Sequence, residues 1–321
     1  MPCQHCEPAI GTWRIGRPAR MVEGNEQVRV GVIGLGKMGS ALAEALLARK
    51  FETTVWNRTP ARAEPCQSAG AKLARSASEA ARCSDLLVVC LADYTALKTT
   101  LLTGELGISL RDKTLVDLTS IKSDELKELV AWADKNEILL LKGTIPGYPD
   151  DVRAGKCSIL YGGPRRAFDA VIPVLQAMGG SPVHIGEDHA AGVEMGRAYY
   201  SFLFPALVAF LYGAALCQRA GLSLDTYARG LILPSLKGPI MSGMIERLSK
   251  ASMARRYDED VQSTLNIWRG AFDNVIDCAN SHRLDPAFLT AAKALMDRAA
   301  VEGFGQQDLA AVFESLIGDG S

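Results

Sequence analysis

A glycine-rich segment between a short apolar run and a helical run restricts the fold of this chain more than any other part of the sequence. Residues 28–34 read VRVGVIG, which is typical of a buried parallel strand. Residues 34–39 read GLGKMG, and residues 37–50 place apolar side chains at helical spacing. The pattern G-x-G-x-x-G is weak evidence alone, but between a strand and a helix it predicts a β-α-β unit that binds a dinucleotide.

Each glycine of this segment has a physical reason in such a unit. Gly34 permits a tight turn, Gly36 lets the backbone approach a pyrophosphate, and Gly39 lets the helix pack close to the strand. The helix N-terminus then offers free N–H groups to the phosphates. A tight turn without a ligand is the alternative interpretation.

The rest of the first half alternates between strand and helix patterns, and the second half has helical periodicity only. Alternating strands and helices predict a doubly wound parallel sheet, an α/β fold of the Rossmann type. The change near residues 185–190 predicts an NADP-binding domain over 28–187, joined by a long helix to an all-α domain over 188–321. The expected strands are residues 28–34, 52–57, 84–91, 113–119, 137–143 and 181–186.

Length and charge restrict the function classes. The 321 residues suggest two domains, and 48% apolar residues suffice for a full core. A net charge of −1 gives no electrostatic reason to expect nucleic acid or an anionic membrane as a partner. Most of the eight cysteines lie in apolar runs, which favours reduced thiols and a cytoplasmic location, and we find no metal-ligand cluster.

Two segments need separate interpretation. Residues 1–27 contain Cys3 and Cys6 but no apolar signal region, and we expect a disordered N-terminal extension. Residues 198–217 contain no charge over 20 positions, which is long enough to cross a bilayer. Because Pro205 interrupts this run and the preceding half has a soluble pattern, we favour a buried central helix and no membrane partner.

The end of the second strand indicates which dinucleotide binds. An Asp or Glu about 20 residues after the glycines would bind the adenosine ribose hydroxyls, but this position is Asn57. Asn57 removes a charge that would repel a 2′-phosphate, and Arg58 supplies a bidentate cation. Thr59 adds a hydroxyl and an expected helix N-cap, and Arg62 adds a second cation one turn later. These residues predict NADPH rather than NADH as the cofactor.

Several motifs together resemble one enzyme family. The segments GLGKMGSALAEALL, VWNRTPARA, DLTS, AWADKNEILLLKGTI, ILYGG and EGFGQQDLAAVFE resemble imine reductases and reductive aminases, which are relatives of β-hydroxyacid dehydrogenases and 6-phosphogluconate dehydrogenase. The resemblance covers residue 28 to the end. It implies a homodimer with exchanged (domain-swapped) helical domains, an active site between subunits, and hydride transfer from NADPH to a C=N bond of a small, possibly cyclic substrate.

The same resemblance assigns further cofactor residues. Leu35, Lys37 and Met38 would line the pyrophosphate. The pairs Leu91–Ala92 and Thr119–Ser120, each after a strand, would flank the nicotinamide ribose.

The expected catalytic position departs from the family pattern. Imine reductases commonly have an Asp or Tyr early on the long helix, where this chain has Gly196, and the second polar position is Phe204. Helix geometry makes Tyr200, one turn later, the candidate proton donor that could enter a gap left by Gly196. Glu194 could stabilise an iminium cation, and Arg197 could anchor an acidic substrate.

Two other functions stay open on the sequence alone. One is a related NADP-dependent oxidoreductase of carbonyls or hydroxyacids, although that branch has a Lys where this chain has Gly196. The other is a protein that binds NADPH without turnover, which the missing acid at Gly196 would favour.

Overall fold

The computed structural model describes residues 28–318, so the predictions for residues 1–27 lie outside the described residues. The strands are β1 (Arg29–Ile33), β2 (Glu52–Trp56), β3 (Lys72–Leu73), β4 (Leu86–Val89), β5 (Thr114–Asp117), β6 (Leu139–Thr144), β7 (Leu160–Gly162) and β8 (Val183–Gly186). The helices are α1 (Lys37–Ala48), α2 (Glu64–Ser68), α3 (Ala77–Arg82), α4 (Tyr94–Leu101), α5 (Gly104–Leu110), α6 (Ser123–Lys135), α7 (Pro149–Arg153), α8 (Arg165–Ala170), α9 (Ile172–Gly179), α10 (Ala191–Arg219), α11 (Leu233–Lys237), α12 (Pro239–Ala254), α13 (Leu265–Ser281), α14 (Ala287–Val301) and α15 (Val312–Ile317).

All eight strands belong to one sheet, in the order β3-β2-β1-β4-β5-β6-β7-β8. Neighbouring strands are parallel except for the antiparallel pair β6 and β7. The predicted doubly wound sheet is therefore confirmed, and the sequence pattern missed two short strands, β3 and β7. Because the strand order reverses at β1, the carboxyl ends of β1 and β4 form the crevice where such sheets bind ligands.

Both faces of the sheet are covered by helices, which explains why the inner strands read as continuous apolar runs. On β4, Leu86 and Val88 pack into one core cluster, whereas Leu87 and Val89 pack into the cluster on the opposite face. All four side chains are buried. The alternation fixes the register of β4, since a shift by one residue would exchange the two faces.

Contacts divide the chain into two compact units, Met1–Phe202 and Leu203–Ser321. The sheet lies in the first unit, and the second is built from helices, with a π-helical segment at Thr226–Ile232. The all-α character predicted for the second half is confirmed. The predicted domain boundary between residues 187 and 188 stays a prediction.

Helix α10 contains the uncharged run noted in the sequence and continues through Pro205. It is the one helix among the described residues whose length and composition would suffice to cross a membrane, which is weak evidence because core helices of soluble proteins meet the same criterion. The predicted burial is not found within a single copy of the chain: Phe202, Leu207 and Leu211 are exposed. A single chain thus leaves a long apolar surface uncovered.

Candidate active site

The turn between β1 and α1 has the geometry that a dinucleotide pyrophosphate requires. Gly34 has a φ of +93°, a conformation that favours glycine, and a Cβ on Gly39 would lie 1.8 Å from the Gly34 carbonyl oxygen. A Cβ on Gly36 would meet no described atom within 4 Å. The turn itself therefore requires glycine at both ends of the motif, Gly34 and Gly39. The open side of Gly36 leaves space for a ligand at the start of α1.

Asn57 connects this turn to the end of β2. Its Oδ1 accepts a hydrogen bond from the Leu35 backbone N–H at 3.0 Å, and its Nδ2 donates to the Thr59 carbonyl oxygen at 2.9 Å. Leu35 is buried, so it can face a ligand only through its backbone. Asn57 thus aligns the glycine turn with the following loop and places a neutral group where related folds have a carboxylate.

A cavity of about 320 Å³ opens at the ends of β2 and β3. Its lining residues are Trp56, Asn57, Arg58, Pro60, Leu73, Ala74 and Arg75. The predicted Arg58 is among them, together with Arg75, which the sequence reading missed. Arg75 follows the short strand β3, and the carboxyl ends of parallel strands lie at the same edge of a sheet, so this position was the available signal. Two guanidinium groups at one cavity, with no carboxylate among its described lining residues, suit a phosphate.

The other residues predicted at this end lie differently. Thr59 stands at the N-cap position of the 3₁₀ helix Pro60–Ala63, but its side chain makes no capping hydrogen bond. Thr59 and Arg62 are exposed and do not line the cavity. Lys37 is exposed at the first position of α1 and Met38 is half-buried there, next to the glycine turn.

The loops after β4 and β5 meet at the carboxyl edge of the sheet. The backbone N–H of Leu91 donates to Thr119 Oγ1 at 3.1 Å, and Thr119 is buried. Thr119 therefore fixes the two loops to each other. Ala92 and Ser120 are exposed, and Ser120 lines a second cavity of about 430 Å³ at the N-termini of α4 and α6.

Gly196 does not leave a gap, which corrects the expectation that Tyr200 could swing into one. Gly196 is buried, and a Cβ at this position would lie 2.5 Å from Thr144 Cγ2 and 3.3 Å from Thr144 Oγ1. The space beside the helix is thus filled by a side chain from the end of β6. Thr144 places a hydroxyl next to the position where the family pattern has an acid on the helix.

The candidate catalytic side chains on α10 all have partners in this structure. The Tyr200 hydroxyl donates to the Ile145 carbonyl oxygen at 2.9 Å, and burial raises the pKa of this hydroxyl, so it stays protonated at neutral pH. Arg197 forms an ion pair with Glu194 and donates to Ser123 Oγ at 3.2 Å. The roles of Tyr200, Glu194 and Arg197 stay predictions, and the latter two would have to separate before either bound a charged substrate.

The contact between Gly196 and Thr144 generates a stability prediction. Gly196→Ala gains about 1 kcal/mol of helix propensity but introduces a clash of about 1–3 kcal/mol, so we expect a lower free energy of unfolding in urea. The double variant Gly196→Ala/Thr144→Ser lacks the methyl group that clashes and should regain part of the loss.

Gly243→Ala is the matched control for this prediction. A Cβ on Gly243, within α12, would meet no described atom within 4 Å, so this variant should gain stability. A Gly196→Ala variant that gained as much as the control would show that Thr144 does not fill the space.

Comparisons with protein families assign both halves of the chain. Residues 29–186 match the model of the NAD binding domain of 6-phosphogluconate dehydrogenase. Residues 188–317 match the model of the C-terminal domain of NADPH-dependent reductive aminase-like proteins.

Individual relatives cover almost the whole chain. An NADPH-dependent reductive aminase from Aspergillus oryzae is 30% identical over 290 residues, which cover 89% of this chain and 96% of the relative. The structure of an imine reductase from Pseudomonas sp. superposes with a TM-score of 0.82 at 29% identity, covering 91% of this chain and all of that one. An imine reductase from Myxococcus stipitatus in complex with NADP⁺ superposes with a TM-score of 0.79 at 30% identity, covering 88% of this chain and 98% of that one. The chain therefore belongs to the family of imine reductases and reductive aminases.

Proposed function

We propose that this protein is an NADPH-dependent oxidoreductase that transfers hydride to the carbon of a C=N bond in a small imine or iminium substrate. The observation that carries the proposal is the cavity at the end of β2, which Arg58, Arg75 and the neutral Asn57 line together. Similarity to an NADPH-dependent reductive aminase over 89% of the chain supports the reaction class.

The described residues fit NADPH along the edge of the sheet. The open side of Gly36 and the N-terminus of α1 suit the pyrophosphate, and Arg58 and Arg75 suit the 2′-phosphate. The joined loops at Leu91 and Thr119 are our assignment for the nicotinamide ribose. When bound, NADPH supplies the hydride, and the protein supplies orientation and electrostatics.

When the substrate is a neutral imine, a proton must also be donated to its nitrogen. Tyr200 is our candidate donor, because its hydroxyl stays protonated and lies at the loop that follows β6. Its hydrogen bond to Ile145 would have to be exchanged for one to the substrate nitrogen. A preformed iminium cation needs no donor, so Tyr200 should matter only for neutral imines.

A hydroxyacid or carbonyl substrate has less support. The related dehydrogenases have a Lys at the position of Gly196, and here Thr144 fills the adjacent space without supplying a cation. The predicted cytoplasmic location stays a prediction.

We further propose that the protein is a homodimer with exchanged helical domains. The support is the apolar surface of α10, where Leu207 and Leu211 are exposed one helical turn apart in the single chain. A second copy of this surface would cover it without a membrane.

Arg58→Ala should separate the two cofactors. Losing a charge-assisted contact to phosphate weakens binding roughly tenfold to a hundredfold, so NADPH affinity should fall by this factor while NADH affinity changes little. Isothermal titration calorimetry measures both dissociation constants. Arg166→Ala removes another exposed arginine, on α8, which packs against β6 and β8 at the opposite end of the strand order from β2, and should change neither. Equal weakening of NADPH and NADH by Arg58→Ala would contradict the assignment.

NADPH oxidation, followed by absorbance, tests the reaction class. We expect turnover of 1-pyrroline, a 2-substituted pyrroline or a dihydroisoquinoline, and slower or no turnover of the matched ketones and 3-oxoacids. Tyr200→Phe should lower kcat for a neutral dihydroisoquinoline about a hundredfold to ten-thousandfold, but not for its N-methyl iminium salt, which carries no exchangeable proton. Turnover of ketones but not of imines would reject the proposed function, and equal effects on both substrates would reject Tyr200 as the donor.

Sedimentation equilibrium tests the assembly. We expect twice the mass of one chain, and a shift to the monomer for Leu211→Glu because a charge would enter the apolar interface. Ile108→Glu replaces an exposed apolar residue on α5, in the sheet-containing unit, and should leave the dimer intact. A monomeric parent protein would contradict the proposal.

A further inference from the structure

Two opposite charges lie inside the sheet, where the mechanism proposed above does not use them. Asp117, the last residue of β5, and Lys142, on β6, are direct partners in the strand register. Their side chains are 0% and 1% exposed. The neighbouring pair in the same register, Val116 and Leu141, is apolar and buried, as expected for inner strands of a parallel sheet.

The two side chains hold the backbone of one residue, Thr119. Lys142 Nζ lies 2.9 Å from Asp117 Oδ2 as an ion pair and donates to the Thr119 carbonyl oxygen at 2.5 Å. Asp117 Oδ1 accepts from the Thr119 backbone N–H at 3.1 Å. Lys142 Nζ also reaches the Asp117 carbonyl oxygen at 3.3 Å. One buried ion pair thus binds both the backbone N–H and the backbone carbonyl oxygen of Thr119.

Thr119 passes this restraint on to a second loop. Its Oγ1 accepts the hydrogen bond from the Leu91 backbone N–H, so the loop after β4 is connected through Thr119 to Asp117 and Lys142. These two loops are the ones assigned to the nicotinamide ribose. The adenosine end, with Arg58 and Arg75, lies beyond β1 at the ends of β2 and β3 and makes no contact with the pair among the described hydrogen bonds and ion pairs.

Stability alone gives no reason for this pair. Removing two charges from water costs several kcal/mol each, and replacing a buried ion pair by apolar residues of similar volume is often neutral or stabilising. An apolar pair, such as Val116 and Leu141 one position earlier, would satisfy the sheet. An apolar pair could not, however, bind the N–H and carbonyl of Thr119.

We propose that Asp117 and Lys142 are positioning residues for the nicotinamide half of NADPH. They act through Thr119, which they hold in the conformation that also fixes Leu91, and so set the place of the ring that donates the hydride. The inference rests on the proposed function, because it takes NADPH as the cofactor. It adds a division of roles along the sheet edge: the arginines select the adenosine half, and the buried ion pair orients the nicotinamide half.

Two ligands that differ in the nicotinamide half make the test specific. The probe 2′,5′-ADP has the adenosine and the 2′-phosphate but no nicotinamide, whereas NADPH has both halves. The apolar variant Asp117→Leu/Lys142→Met removes both charges and keeps similar volume, so it should fold. We expect its dissociation constant for 2′,5′-ADP to stay within about twofold of the parent value, because the arginine cavity is untouched.

In the same variant, binding of NADPH should weaken at least tenfold, or the single-turnover rate of hydride transfer to 1-pyrroline should fall at least tenfold. The polar variant Asp117→Asn/Lys142→Gln retains groups that can accept from and donate to Thr119 and should recover part of the loss. Val116→Ala/Leu141→Val is the matched control: it disturbs the adjacent register pair, should lower the free energy of unfolding, and should leave both ligands bound as in the parent.

Three results would contradict the inference. Unchanged NADPH binding and hydride transfer in the apolar variant would show that the pair does not position the cofactor. Loss of 2′,5′-ADP binding together with NADPH would show that the pair supports the fold as a whole. If the parent protein bound neither ligand, the proposed function would fail first, and this outcome is distinct because it does not involve the variants.

Discussion

The close contact between Gly39 on α1 and the Gly34 carbonyl oxygen is the constraint on which the cofactor half of this molecule depends. A Cβ at Gly39 would lie 1.8 Å from that oxygen, so no other residue lets α1 approach the turn this closely. The approach directs the helix N-terminus to the carboxyl edge of the sheet, at the ends of the paired strands β1 and β4. Asn57 then hydrogen-bonds to the same turn, and its loop carries Arg58 into the cavity. A single steric requirement thereby places both the phosphate-binding helix and the cation that distinguishes the cofactors.

Charge is distributed unevenly along this edge of the sheet. The adenosine end has two arginines and no carboxylate among the described residues that line its cavity, which suits a dianionic phosphate. Beneath the loops after β4 and β5, Asp117 and Lys142 are paired and buried, so the net field of this pair is small. In the proposed mode of NADPH binding, binding strength would come from the phosphate end and orientation from the nicotinamide end, a division that suits hydride transfer.

Local pattern predicted most of the fold and part of the site, because those features depend on residues close in sequence. The strands, the glycine turn, Asn57 and Arg58 follow from spacing within a β-α-β unit. Arg75, Thr144 and the pair Asp117–Lys142 depend on which strands become neighbours, and the register of β5 with β6 is not visible in either strand alone. The sequence did contain a signal for this pair. Within otherwise apolar runs, β5 contains the acidic residue Asp117 and β6 contains the basic residue Lys142. The expected gap at Gly196 was wrong for the same reason, because Thr144 comes from a strand about 50 residues earlier.

The side chain of Thr144 occupies the space beside Gly196, and this affects which groups could protonate a substrate. A helix residue with a side chain at position 196 would displace Thr144, so the two positions cannot both be large. Thr144 and Tyr200 place two hydroxyls near this position, and both are neutral at physiological pH. Neutral hydroxyls protonate an imine less readily than a carboxylic acid does, but they repel an iminium cation less than a lysine would. For a substrate bound at the proposed site, this arrangement would favour a nitrogen that is already protonated or alkylated, because an oriented hydride donor is then the main requirement.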